Sequence, residues 1–269
     1  MPDPLFRIFC VFSFCLGAVI ASFLNVVVWR VPRGESIVLP PSHCPKCNAR
    51  IKWWQNIPIL SYIALRGRCA RCRERISPRY VLVELLGATL FLAAFWRYGI
   101  YAPVMWVWIS LMIVGSFIDF DWQLLPDFVT IGGMALGVAA SAVFTFCGIE
   151  PSPVAPLPMS LTGLALGFGL LWLVRFLGTK AFKREAMGMG DVLLMGAIGA
   201  LFGPLAVIVT LIISSIAGSV IGLAMIALSK TKLGKFAAIP FGPYICLGCL
   251  AWMFYGDALV AAYLHLLGF

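Results

Sequence analysis

A chain of 269 residues that is 62% hydrophobic, with a mean hydropathy of +0.99, is too apolar for a soluble domain. Its formal net charge of +9 is gathered into a few short segments, a pattern that speaks for membrane topology and against a nucleic-acid surface. No alternating strand pattern is visible, so the expected class is an all-α polytopic membrane protein rather than a barrel.

Eight apolar stretches follow in chain order, at about 8–29, 80–96, 102–118, 128–147, 157–178, 191–203, 205–228 and 241–264. Most approach the roughly 20 residues that a bilayer demands, and the sixth is short. The first is too long for a signal peptide and runs on into Ser22-Phe23-Leu24-Asn25-Val26 with no small-residue cleavage site. Eleven of the 20 Lys and Arg lie between Arg30 and Arg79. Lys180, Lys183 and Arg184 follow the fifth stretch, and Lys230, Lys232 and Lys235 follow the seventh. If all eight cross, these basic segments share one side, and only Arg7 and Arg97 mark the other. The cytoplasmic side is therefore expected to hold the basic segments, with both termini outside it.

Residues 30–79, between the first two stretches, form the one loop large enough to fold by itself. Cys44-Pro45-Lys46-Cys47 and Cys69-Ala70-Arg71-Cys72 are two paired knuckles separated by 21 residues. Four thiolates at such spacing suit a closed, tetrahedral and hence structural zinc site. A cytoplasmic location disfavours disulfides. His43 adjoins the first knuckle but is surplus to four ligands. Cys246 and Cys249, inside an apolar stretch with no second pair, read as small packing residues, as do Cys10, Cys15 and Cys147. His265 reads as an interface residue.

The chain has only eleven acids. Asp3, Glu35, Glu74, Glu150, Glu185 and Asp257 read as solvated, whereas Glu84 falls inside an apolar stretch. Asp127 precedes an apolar segment and reads as a helix N-cap. Asp121 reads as facing water. Asp119 ends the third stretch, and Asp191 heads the sixth within Gly188-Met189-Gly190-Asp191. Acids at membrane depth are costly and usually functional. Two carboxylates facing each other hold one proton between them, so one can activate water while the other protonates the carbonyl or leaving group of a peptide. Gly188 and Gly190 would let a substrate backbone come close to free N–H groups at the following helix start. A transporter that binds a cation or proton between the same acids is the rival reading, and the absence of repeat symmetry counts against it.

Taken together, these features resemble the bacterial type IV prepilin peptidases, GxGD-type intramembrane aspartyl proteases. The likeness runs through Ser22 to Val27 with Arg30 and Pro32-Arg33, both knuckles, Asn56-Ile57-Pro58 and Arg66-Gly67-Arg68-Cys69. It continues through Arg79-Tyr80 with Val83-Glu84-Leu85-Leu86, Asp119 to Asp127, Gly188 to Asp191 and Phe241-Gly242-Pro243. The resemblance implies removal of a short basic leader, after Gly, from type IV prepilins or type II secretion pseudopilins. It further implies methylation of the new N-terminus with S-adenosylmethionine in a bacterial inner membrane. The family's catalytic acids fall on Asp119 and Asp191, and Glu84, Asn25 and Arg30 are candidates for the S-adenosylmethionine site. Residues 1–97 would carry methyl transfer and residues 98–269 proteolysis. Two departures stand out: Leu193 where the family often has Lys, and Val81 where a Pro is frequent.

Overall fold

The computed structural model describes residues 4–150, 152–185, 187–228 and 240–266. Asp3 and the lysines 230, 232 and 235 of the topology argument lie outside these residues. Nine α-helices are present among them: α1 (Pro4–Arg30), α2 (Leu60–Ala64), α3 (Pro78–Tyr98), α4 (Ala102–Trp122), α5 (Asp127–Phe146), α6 (Leu157–Phe182), α7 (Met189–Phe202), α8 (Pro204–Leu228) and α9 (Gly242–Leu266). All but the short α2 coincide with the eight apolar stretches. Among the described residues six helical runs are long and apolar enough to cross a membrane, the second of them being Pro78–Trp122. That run is two helices. The Phe91 and Trp106 rings stack at 5.5 Å and the Trp106 indole donates to the Phe91 carbonyl at 2.9 Å. A straight helix would hold these residues about 22 Å apart, so the chain folds back at Gly99, whose φ is +55°.

The chain divides into two compact units, Met1–Val114 and Gly115–Phe269. In the first, α1 packs on α3 through small residues: Gly17 and Ala21 approach Gly87, all three buried. Such pairs let membrane helices close up without a hydrophobic driving force. Helix α3 starts cleanly, with Pro78 in its first turn and the Ser77 hydroxyl accepting the Arg79 N–H at 3.3 Å.

In the second unit the short α7 is the core. At 14 residues it is about 21 Å long, below the thickness of a bilayer core. It ends inside protein instead, where every free carbonyl needs a partner. The Gly199 carbonyl accepts from Gly203 N–H at 2.9 Å and that of Leu201 from Ala155 N–H at 2.9 Å. The Ala200 carbonyl accepts from both the Ser141 and Ser160 hydroxyls. Gly199 on α7 and Gly163 on α6 are in backbone contact, so a Cβ at either would overlap the other. Gly199→Ala should therefore wedge the two helices apart and cost at least about 1–3 kcal/mol. Thermal unfolding in detergent checks this, with Gly169→Ala as the comparison, because a Cβ there meets nothing within 4 Å.

Candidate active site and metal centre

Asp119 occupies the last turn of α4 and Asp191 the first turn of α7. Both are buried, at 6% and 8% exposure, although carboxylates normally seek water. Asp191 lies within electrostatic reach of Asp119, and the Cys246 thiol lies within reach of both and close to the Ser116 side chain. The acids thus share one locale within the second unit. Asp119 Oδ2 accepts the Gly242 N–H at 2.9 Å. Asp191 Oδ1 is buried with no hydrogen-bond partner among the described residues, a state that ordinarily costs a carboxylate dearly and so marks a group set aside for something other than packing.

The loop leading to Asp191 is held from α6. Arg175 donates through Nε to the Met187 carbonyl at 3.0 Å and pairs with Glu185 at 3.2 Å. Glu185, read from sequence as merely solvated, is 80% exposed but ion-paired. The two glycines of the motif have different surroundings. A Cβ on Gly188 would meet Asp191 Oδ2 at an ordinary 3.6 Å, whereas one on Gly190 would strike the Leu125 side chain at 2.7 Å. Gly190 therefore makes room for Leu125. Asp127 is not the N-cap of α5: that position is Pro126, and Asp127 stands inside the first turn, where its charge favours the helix dipole. Asp121 and Asp127 are both exposed.

The four loop cysteines converge. Their sulfurs all lie within 4.8 Å of one another, and Cys44 and Cys72 are 3.8 Å apart. Bonds of about 2.3 Å to a tetrahedral zinc would put sulfurs about 3.8 Å apart, so the donor set fits a closed four-thiolate site. Both knuckles use one turn. Asn48 and Arg73 take positive φ and donate to the Cys44 and Cys69 carbonyls, while the Cys44 and Cys69 N–H groups reach Ala49 and Glu74. Backbone N–H groups of Cys72 and Arg71 hold the Cys69 thiol down to about 6. At Cys72 the Glu74 N–H pulls the same way, but desolvation and the three neighbouring sulfurs raise the thiol to about 12. Holding all four as thiolates this close calls for a cation among them. His43 is exposed, with its Nδ1 3.2 Å from the Pro41 carbonyl, and is not among the converging ligands.

Asn25, Arg30 and Glu84 are buried in the first unit. Asn25 donates to the Tyr80 carbonyl at 3.2 Å. Arg30 donates to the carbonyls of Ser36 at 2.8 Å and Pro40 at 2.7 Å. Glu84 Oε2 accepts the Ile59 N–H at 2.8 Å, and Ile59 has φ +63°, which a β-branched residue seldom adopts.

A family model described as the bacterial peptidase A24 N-terminal domain matches residues 15–98, and one described as the type IV leader peptidase family matches residues 106–223. A Pseudomonas putida protein named prepilin leader peptidase/N-methyltransferase is 35% identical, over 94% of this chain and 93% of its own. The chain belongs to the type IV leader peptidase family. A Pseudomonas aeruginosa relative of the same name is 33% identical over 99% of this chain and 96% of its own. The type 4 prepilin-like proteins leader peptide-processing enzyme of Escherichia coli O78:H11 is 37% identical over 88% and 91%. No solved structure matches.

For this leader peptidase family member, sequence reading misses Gly242 and Cys246 beside the acids and Arg175, which holds the loop before Asp191. In the sequence Gly242 stands out only as part of a motif, Cys246 only as packing, and Arg175 not at all. A charged residue inside an apolar helix was the available signal for Arg175. Nothing in a sequence announces the other two, which meet the acids only through the fold.

Proposed function

We propose that this chain is a membrane-embedded aspartyl endopeptidase that removes the leader of type IV prepilins or pseudopilins after Gly, and then methylates the exposed N-terminus. The single observation that carries the proteolytic part is the buried pair Asp119 and Asp191, one carboxylate held by a backbone N–H and the other with an oxygen that has no partner among the described residues. Such a pair performs peptide hydrolysis with no other group: one acid takes a proton from water as it attacks, and the other gives a proton to the carbonyl oxygen or leaving nitrogen. Burial keeps the acids out of bulk water, so that only water admitted with the substrate meets them.

Cys44, Cys47, Cys69 and Cys72 hold a structural zinc ion that orders residues 30–79. Proteolysis is assigned to residues 98–269 and methyl transfer to residues 1–97. S-adenosylmethionine would supply the methyl group, and Glu84, Asn25 and Arg30 are the residues assigned to shaping its site. With Oε2 committed to Ile59, Glu84 has Oε1 left to meet a ligand. Positive-inside reasoning favours a cytoplasmic cysteine loop, and the family resemblance implies a bacterial inner membrane. The genuine substrates are the membrane-anchored precursors of pilins or secretion pseudopilins.

Incubating the purified protein with a prepilin and S-adenosylmethionine tests the reading. A shortened pilin carrying one added methyl group is expected, and a precursor of unchanged mass would overturn it. Glu84→Gln should leave cleavage intact while lowering methylation about tenfold, the equivalent of one hydrogen bond. Mass spectrometry of the processed pilin reads both. Full methylation by this variant would leave Glu84 with the structural task of holding Ile59.

A further inference from the structure

Helix α9 begins on Phe241-Gly242-Pro243, and its first donors can be counted. The Phe241 carbonyl accepts the N–H groups of Tyr244 at 3.0 Å and Ile245 at 3.1 Å. Pro243 has no N–H. Gly242 is left as the one early donor without a helical partner, and it points at Asp119 Oδ2, 2.9 Å away in a buried contact. The approach depends on the missing side chain. A Cβ on Gly242 would lie 2.7 Å from Oδ2, 3.1 Å from Cγ and 3.3 Å from Cβ of Asp119. One turn further along the same face, Cys246 lies close to Ser116, one turn before Asp119 on α4. The start of α9 and the end of α4 therefore meet at Gly242 and Asp119, with Cys246 and Ser116 near one another one turn away.

We infer that Gly242 is a positioning residue of the acid pair: its N–H fixes one oxygen of Asp119 and its bare Cα lets α9 close onto that carboxylate, leaving the other oxygen to face the reaction. This rests on the reading of Asp119 as catalytic. The positive end of the α9 dipole adds to the same contact. The tripeptide then has a division of labour, in which Phe241 takes the next helical N–H groups, Gly242 supplies the donor and the space, and Pro243 removes a competing donor.

Two measurements test it. Gly242→Ala should lower kcat for leader removal about 100-fold, the scale of a 1 Å misplacement of a reacting group, with KM for the prepilin unchanged. Cleavage at the wild-type kcat would overturn the inference. If wild-type protein itself leaves the prepilin uncut, the functional reading fails instead, which keeps the two failures apart. The second measurement needs no activity. Ser116→Cys, oxidised in membranes, should bridge to native Cys246 while α9 is docked. Adding Asp119→Asn keeps an acceptor for the Gly242 N–H and should preserve the bridge, whereas adding Asp119→Leu removes the acceptor and should lose it. Equal bridging in both backgrounds would show that the contact does not hold α9 in place.

Discussion

Asp119→Asn and Asp191→Asn should each abolish leader removal while leaving the protein inserted and folded. Asparagine keeps the shape of the side chain, and at position 119 it still accepts the Gly242 N–H, but it can neither take nor give the proton that the reaction moves. Loss of one acid–base group costs about 10²–10⁴-fold, and in a pair that shares a single proton the second carboxylate cannot take over both roles. Asp121→Asn and Asp127→Asn should process prepilin at close to the wild-type rate, since both side chains are exposed. Time courses of precursor loss by gel, at matched membrane levels of each variant, check this.

The second large effect concerns the cysteine loop. Among the described residues this region has no strand pairing beyond two isolated bridges, and its two helical turns and α2 are short. Its order must come from elsewhere. A structural zinc in small four-cysteine modules supplies about 10–16 kcal/mol of folding free energy at neutral pH. Cys44→Ser, at the most buried of the four ligands, should therefore release the metal and expose residues 30–79 to proteolysis, while α1 and α3 stay packed through their small residues. Elemental analysis together with limited proteolysis reads the outcome. Metal-free wild-type protein with a protected loop would contradict it.

Much of the fold was legible in the sequence because lipid leaves a chain few options. Eight apolar stretches became helices, and two knuckles of fixed spacing brought four sulfurs together. The brevity of α7 was visible too, but its reason was not, since that lies in Ser141, Ser160 and Ala155 reaching its last carbonyls from other elements. Local rules failed where tertiary contacts decided. Asp127 looks like an N-cap by type, yet Pro126 already has the extended backbone that the position requires. Gly190 looks like an opening for substrate and is filled by Leu125. The bond from Gly242 to Asp119 joins residues 123 apart, a separation that no periodicity or spacing argument can bridge.

The account stands most directly on which acid of the Asp119-Phe120-Asp121 run works with Asp191. The deciding measurement is the mass of pilin recovered after precursor is incubated, side by side, with Asp119→Asn and Asp121→Asn. Intact precursor with the first variant and leaderless pilin with the second are expected, and leaderless pilin with the first but intact precursor with the second would contradict the account.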